Sequence, residues 1–216
     1  HKPLALRLPQ GRGTQLRQHM RTLVQDLRTM IPATFESEEY ANAVERLNNE
    51  YKERAEQAVL AVGEEAQRQG LVMVRTPVGL SFAPRKPQGT GETEGEVGVL
   101  SPQEFEALPQ AERERLQHAM SAAQEQLART LRSSVQLRKE LADRLRTLNR
   151  SMTLVAVEHV VDDVKARYTD LPAVCAYLEA VRADVIDSAD SFRAAKDEDG
   201  SPAERADLSA YEVNLI

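Results

Sequence analysis

The sequence is poor in the residues that build disulfide-stabilised or β-rich proteins. Its 216 residues contain 1 cysteine, no tryptophan and only 4% aromatic residues. A single Cys175 can form neither an intrachain disulfide nor a cysteine-rich zinc site. With so few rings, the core must be filled by Leu, Val, Ala and Met, which favours helices over a β-sandwich.

Long apolar runs are missing as well. The longest uncharged stretch near the middle of the chain, residues 151–157, is far too short to span a bilayer. No apolar segment of the kind found in signal peptides follows Lys2. We therefore expect a soluble protein of a reducing compartment, the cytoplasm, with no membrane partner.

Positive charge is also in short supply. The formal net charge is −6 at pH 7, and residues 151–216 alone hold 6 Lys/Arg against 14 Asp/Glu. Neither half of the chain is strongly basic, so a nucleic acid is not the expected partner.

Apolar residues at steps of three and four predict helices along most of the chain. A first helix is expected to begin near the capping residue Thr14 and to end at Pro32. A second is expected over residues 37–69, capped by Ser37 and closed by Gly70.

The second half of the chain is predicted to be helical too. A long helical run opens at Pro109 and reaches about residue 168, and a further helix covers residues 171–192. Short alternating segments at residues 4–8 and 211–216 predict strands near the two ends.

One β-hairpin interrupts the helices. Residues 71–75 and 80–83 are strand-like runs on either side of Thr76-Pro77-Val78-Gly79, which suits a type I turn. The Gly-rich residues 85–100 are expected to be a flexible loop, and Ser101 to Glu104 form a capping-box motif.

Two narrow apolar seams predict the arrangement of the long helices. The helix 37–69 and the first part of the run from Pro109 carry matching seams and are joined through the hairpin, so they should run antiparallel. The predicted fold is mainly α: a helical-bundle base (residues 14–36 and 150–193) and a long antiparallel coiled-coil arm (residues 37–149). The arm would carry the hairpin, residues 71–84, at its tip. The seam is irregular around Leu131 and Val135, like a stutter in a heptad pattern.

Motifs that carry chemistry are scarce. No phosphate-binding loop and no H-E-x-x-H pattern occurs, and His159 with Asp163 would supply only two metal ligands. Cys175 lies on a periodic apolar face and is expected to be a small core residue. Ser133 or Ser134 with Lys139 would need a burial and a geometry that the sequence does not predict. We therefore predict no catalytic residue, no metal site and no cofactor site in this chain.

A basic stretch lies in the long helical run. A solvated flank that pairs with glutamates of the facing helix is favoured there over a nucleic-acid stripe. The basic residues are Arg129, Arg132, Arg138, Lys139, Arg144, Arg146 and Arg150, and the available glutamates are Glu45, Glu50, Glu53 and Glu56.

The hairpin is the candidate contact site. One face should pack on the arm, and the other is free to take up an unfolded polypeptide by hydrophobic contact or strand addition. The candidate residues are Leu71, Met73, Val74, Val78, Leu80 and Phe82. The alternative is a small satellite core at the tip, completed by Leu100 and Phe105.

Six phrases of the sequence together resemble one protein family. They are ALRLPQGRG (5–13), IPATFESEEY (31–40), RTPVGLSFAP (75–84), LSPQEFEALP (100–109), DLPAVCAYLEAVRADVID (170–187) and YEVNLI (211–216). In this order they resemble the helical region inserted in the N-terminal half of Lon-like, Lon-related bacterial proteases. The resemblance extends over essentially the whole chain.

The resemblance implies a parent enzyme with an AAA+ type module, a C-terminal Ser–Lys dyad and six-membered rings, and ATP as a cofactor of the parent. No position here matches the nucleotide motif or the dyad, so no catalytic residue is carried over. We expect a non-catalytic domain for substrate recognition or gating, whose partners are unfolded polypeptides and the rest of the protease chain. The alternatives are a structural coiled coil that mediates protomer contacts and a nucleic-acid-binding coiled coil.

Overall fold

The protein is mainly helical, with one small antiparallel hairpin. The structure, a computed structural model, describes residues 5–77, 79–86, 98–193 and 208–215. The elements are α1 (Arg12–Phe35), α2 (Glu38–Arg68), β1 (Leu71–Thr76), β2 (Gly79–Pro84), α3 (Pro102–Glu106), α4 (Gln110–Lys165), α5 (Pro172–Asp187) and α6 (Ala189–Arg193). Short 3₁₀ turns cover Ala166–Tyr168 and Leu208–Tyr211. None of the described helices is long and apolar enough to cross a membrane.

The chain divides into two compact units. Unit 1 comprises His1–Leu47 and Ala142–Ile216, and unit 2 comprises Asn48–Leu141. In sequence, unit 2 is therefore nested between the two segments of unit 1. The predicted arm, residues 37–149, extends by two to three helical turns beyond each end of unit 2.

The core of unit 1 joins α1 to the end of α4 and to α5. Its fully buried members include Leu23 and Leu27 of α1, Val157 and Val161 of α4, and Val185 of α5. Each helix contributes residues at steps of three or four, so each presents one apolar stripe to the common centre. The predicted base helices are present in this unit.

The core of unit 2 lies between α2, the hairpin and the first half of α4. Val62 and Ala66 of α2 pack with Leu116, Ala123 and Leu127 of α4. Arg54 of α2 and Glu140 of α4 form an ion pair at 4.0 Å, farther from the hairpin. Residues earlier in α2 thus contact residues later in α4, so the two helices run antiparallel in this unit, as predicted.

The buried face of α2 repeats every eleven residues rather than every seven. Tyr40, Tyr51 and Val62 are 7%, 8% and 6% exposed and are separated by eleven residues each. Eleven residues complete three turns at 3.67 residues per turn, close to the 3.6 of an undistorted helix. The burial pattern of α2 therefore departs from the seven-residue repeat of a left-handed coiled coil.

The predicted cap of α2 is confirmed, whereas both predicted ends of α1 are wrong. Ser37 caps α2 as expected, since its Oγ accepts a hydrogen bond from the backbone N–H of Tyr40 at 3.2 Å. However, α1 begins two residues before Thr14, after Gly11 in a left-handed conformation (φ 83°), and it continues through Pro32 to Phe35. Pro32 lies in the last turn of α1, so the hydrogen bond that it cannot donate is lost only near the helix end.

The strands predicted near the two ends are absent from the described residues. Leu6 and Leu8 lie in irregular chain and pack against the core of unit 1. Leu208–Tyr211 is a 3₁₀ turn, and the residues after it as far as Leu215 are irregular. Alternation alone misled the prediction, because a short chain that lies on a helical core also buries every second side chain.

Candidate functional site

The hairpin forms in the predicted register. Val72 pairs with Ala83, Met73 with Phe82 and Val74 with Ser81, and Thr76 faces Gly79 across the turn. Gly79 has φ 130°, a conformation that disfavours residues with a Cβ. Val78 lies outside the described residues, so the predicted turn type is not tested there.

One face of the hairpin is packed into the core of unit 2. Leu71 and Phe82 are 0% and 7% exposed, and Met73 and Leu80 are partly buried against the same cluster. Phe105 and Leu108 also pack there. Four of the six candidate contact residues therefore belong to the satellite core that the sequence left open as the alternative. Leu100 is half-buried, but it is not part of that cluster.

Val74 is the described candidate residue on the opposite face. Side chains alternate along a strand, so Val72, Val74 and Thr76 share this face with Ser81 and Ala83. Val72 is buried, whereas Val74, Thr76 and Ser81 are half-buried.

The two edges of the hairpin differ. Residues 98–100 pair with the chain at the end of β2. The backbone N–H of Leu100 donates a hydrogen bond to the carbonyl of Pro84, and that of Lys86 donates one to the carbonyl of Gly98, each at 2.9 Å. Within the described part of the chain, β1 pairs only with β2. β1 is thus an edge strand, which is the geometry that takes up an additional strand by backbone hydrogen bonds.

The segment after the hairpin is fixed by the predicted capping box. Ser101 Oγ accepts from the N–H of Glu104 at 3.3 Å, and Glu104 Oε2 accepts from the N–H of Ser101 at 2.8 Å. Lys86, next to β2, forms an ion pair with Glu104 at 3.1 Å. The hydrogen bonds from Ser101, with help from Lys86, lower the pKa of Glu104 to about 2. The box therefore ties α3 to the hairpin end.

The basic residues of α4 are paired otherwise than predicted. None of the seven pairs with Glu45, Glu50, Glu53 or Glu56, all of which the structure describes. Arg129 pairs with Glu125 and Arg146 with Asp143 along α4 itself, while Arg150 reaches Asp187. Carboxylates three or four residues away on the same helix are closer partners than the glutamates of the facing helix.

The irregular patch of α4 is exposed. Leu131 and Val135 are 50% and 66% exposed, while Thr130 and Ser134 are half-buried in their place. The hydroxyl of Ser134 donates to the Leu131 carbonyl at 2.7 Å, and that of Ser133 donates to the Thr130 carbonyl at the same distance. Both hydroxyls thus bond within α4, and neither meets Lys139, which is exposed.

A polar network that the sequence analysis missed lies at one end of α1 in unit 1. His19 Nδ1 is 2.9 Å from the hydroxyl of Tyr168, which is fully buried, and Arg167 Nη1 is 3.2 Å from His19 Nε2. Because a guanidinium only donates, Nε2 must accept, so Nδ1 carries the proton and donates to Tyr168. Arg12 lies over the Tyr168 ring and pairs with Asp170. These contacts join residues about 150 positions apart in the sequence, so no local sequence pattern predicts them.

Other candidate chemistry is not assembled. Cys175 is half-buried and its Sγ donates to the Tyr168 carbonyl at 3.1 Å. His159 and Asp163 are 3.7 Å apart and exposed, and no group of three or more metal-ligating side chains occurs among the residues that were described.

A shallow cavity of about 210 Å³ opens between α2 and α4 in unit 2, lined mostly by small and amide side chains such as Ala66, Ala123 and Gln126. The carboxylate of the lining residue Glu65 is paired with Arg68 and accepts a hydrogen bond from Gln69.

Neither a protein-family model nor a curated protein matches this chain.

Proposed function

We propose that the chain is a non-catalytic domain that recognises substrates and gates their entry in a hexameric Lon-like serine protease that degrades unfolded proteins. The resemblance of its sequence phrases to the helical insertion of those enzymes supplies the family. The open edge of β1, with half-buried Val74 beside it, is the observation that carries the role in substrate recognition.

An open strand edge suits a protease client. An unfolded polypeptide presents backbone donors and acceptors whatever its sequence, and strand addition uses those groups. Every second side chain of the added strand would lie on the same face as Val74, which would add an apolar contact. This recognition is tolerant of sequence, as a degrading enzyme requires.

In the proposed parent, located in the cytoplasm, catalysis and any use of ATP belong to other domains.

The test compares two substrates of the parent protease. Val74→Asp places a charge beside the open edge and should slow degradation of an unfolded protein roughly tenfold, the cost of about 1.4 kcal/mol of contact. Cleavage of a short peptide, which needs no recognition domain, should keep its rate. Thr29→Asp, an exposed β-branched residue of α1, is the matched control and should change neither rate. Equal loss on both substrates, or no loss on the unfolded protein, argues against the proposal.

A role in protomer contacts remains the second candidate, and the exposed pair Leu131 and Val135 favours it. If it is correct, removing residues 71–84 from the parent leaves ring assembly intact, while changes at Leu131 and Val135 weaken it in sedimentation velocity. Loss of the ring on removal of the hairpin alone would contradict this assignment.

A further inference from the structure

The backbone register of the hairpin shows which groups β1 offers at its open edge. The N–H of Arg85 donates to the carbonyl of Gly70 at 2.9 Å, so these two residues form a hydrogen-bonded pair of the antiparallel ladder. Such pairs alternate with non-hydrogen-bonded ones, so every second residue from Gly70 onward directs its N–H and C=O to β2. The N–H and C=O groups of Leu71, Met73 and Arg75 therefore point away from β2, to the open edge.

The pairing of β2 agrees with this assignment. Pro84 lies opposite Leu71 and has no N–H to donate to β1, which suits a non-hydrogen-bonded pair. The carbonyl of Pro84 accepts from Leu100 on the outer side of β2. The alternation is thus the same when it is read from either strand.

The open edge is more accessible towards the turn. Leu71 is fully buried, Met73 is half-buried and Arg75 is exposed. Gly63 of α2 is next to the middle of β1, because a Cβ built there would lie 3.4 Å from Met73 Cε. Among the described residues, none outside the hairpin makes a backbone hydrogen bond to Met73 or Arg75. An added strand therefore finds the most room beside Arg75.

Residues 71–86 carry positive charge and no carboxylate, in a chain whose net charge is −6. Their cations are Arg75, Arg85 and Lys86. Lys86 is paired with Glu104, whereas Arg75 forms no ion pair within the described part of the chain. The accessible part of the open edge thus presents a guanidinium that no carboxylate of the described residues neutralises.

We propose that Arg75 makes β1 prefer polypeptide segments that carry an aspartate or glutamate among apolar residues. This inference rests on the proposed substrate role and names the class of segment that the same edge prefers. In an antiparallel arrangement, the client residue opposite Arg75 exchanges both backbone hydrogen bonds with it, and both side chains point to one face. Their Cβ atoms are then about 5 Å apart, so a carboxylate opposite Arg75 can pair with its guanidinium.

The neighbours of that client residue lie on the other face of the hairpin, because side chains alternate along a strand. They come next to Val74 and Thr76, which are half-buried, so apolar neighbours are preferred. A lysine or arginine opposite Arg75 would instead place two cations side by side, which is unfavourable. Backbone hydrogen bonds still admit any sequence, and Arg75 adds a preference to them.

Binding of three labelled peptides to the 216-residue chain tests this preference. Each peptide has about ten residues of alternating valine and threonine, and one central threonine is replaced by glutamate, glutamine or lysine. Fluorescence anisotropy at low ionic strength should show the glutamate peptide binding about fivefold more tightly than the lysine peptide, with the glutamine peptide between them. In about 1 M salt the three affinities should converge, because the Debye length shrinks to about 3 Å.

Substitutions at Arg75 should change the order of the peptides. Arg75→Glu should make the lysine peptide the tightest, and Arg75→Gln should bring the glutamate and lysine peptides to equal affinity. The matched control is Arg132→Glu, the same charge change at an exposed residue of α4 that has no ion pair among the described residues, and it should keep the original order. Both arginines are exposed, so the circular dichroism spectrum should be the same in all variants.

The outcomes separate this inference from the proposed substrate role. Equal binding of the glutamate and lysine peptides to the unaltered chain overturns the preference, while strand addition to β1 stands. A preference for glutamate that persists in Arg75→Glu, or that Arg132→Glu also removes, overturns it as well, because the overall charge would then be responsible. If none of the three peptides binds, strand addition itself fails, and the inference fails with it.

Discussion

At the scale of single residues, Asn149 is a buried polar side chain of unit 1 that has two side-chain partners. It is 2% exposed, its Oδ1 accepts from the Tyr40 hydroxyl at 2.8 Å, and its Nδ2 donates to Asp190 at 2.6 Å. Because both partners satisfy it, the amide holds α2, α4 and α6 in one register. Removing a buried amide that has both of these partners leaves them unsatisfied and lowers the free energy of unfolding.

Asn149→Ala should therefore lower the free energy of unfolding by about 2–3 kcal/mol, since it also leaves the Tyr40 hydroxyl without its acceptor. Urea denaturation measures this loss. Asn49→Ala, the same change at an exposed position of α2, is the control and should lie within about 0.5 kcal/mol of the unaltered protein. If the two variants are equally stable, the network contributes nothing to stability.

His19 should make unit 1 sensitive to acid. Partial burial, then the charges of Arg167 and Arg12, lower the pKa of His19 below its ordinary 6.5. The unfolded chain therefore takes up a proton at a higher pH than the folded chain does. Stability is fully present above about pH 6.5 and falls as the pH drops below that value, until the folded His19 is also protonated.

His19→Gln should flatten that part of the profile, which thermal unfolding between pH 7.5 and 5 measures. His118→Gln, at an exposed position of α4, should retain the slope of the unaltered protein. An unchanged slope in His19→Gln would show that carboxylates alone cause the loss of stability.

At the scale of elements, the two faces of the hairpin should respond differently to substitution. Phe82 is packed with Leu71 and Leu116 in the core of unit 2, whereas Val74 is half-buried on the other face. Phe82→Ala should cost about 3–5 kcal/mol of unfolding free energy and Val74→Ala less than about 1.5 kcal/mol. Chemical denaturation followed by circular dichroism compares them, and equal costs would mean that the hairpin is not seated as described.

The elements also show how far local sequence signals reach. Ser37, Gly70 and the box at Ser101–Glu104 fix the ends of their helices through backbone hydrogen bonds a few residues away, so these ends were predictable. The end of α1 was not, because Ile31 is fully buried in the unit 1 core and the helix is retained past Pro32 despite the lost donor.

The candidate site was predictable as a hairpin but not in its burial. Alternation identifies two faces at residues 71–84, yet it does not say which face is covered by Leu116 and Leu127 from forty residues further on. Likewise, the pattern near Leu131 predicted an irregular seam, while the exposure of Leu131 and Val135 depends on the half-buried Thr130 and Ser134 beside them.

At the scale of the whole molecule, the main feature is the division of the chain into two compact units. Unit 2 is nested in the sequence of unit 1. It holds the hairpin, so the proposed contact with substrates would belong to unit 2.

The proposal that an unfolded client adds a strand to β1 is tested most directly by hydrogen–deuterium exchange of the chain with and without a permanently unfolded protein. The account predicts slower exchange of backbone amides in residues 71–76 when the client is present, and no such protection in Val74→Asp. If the client protects other segments while residues 71–76 exchange as before, the open edge of β1 is not the site of recognition.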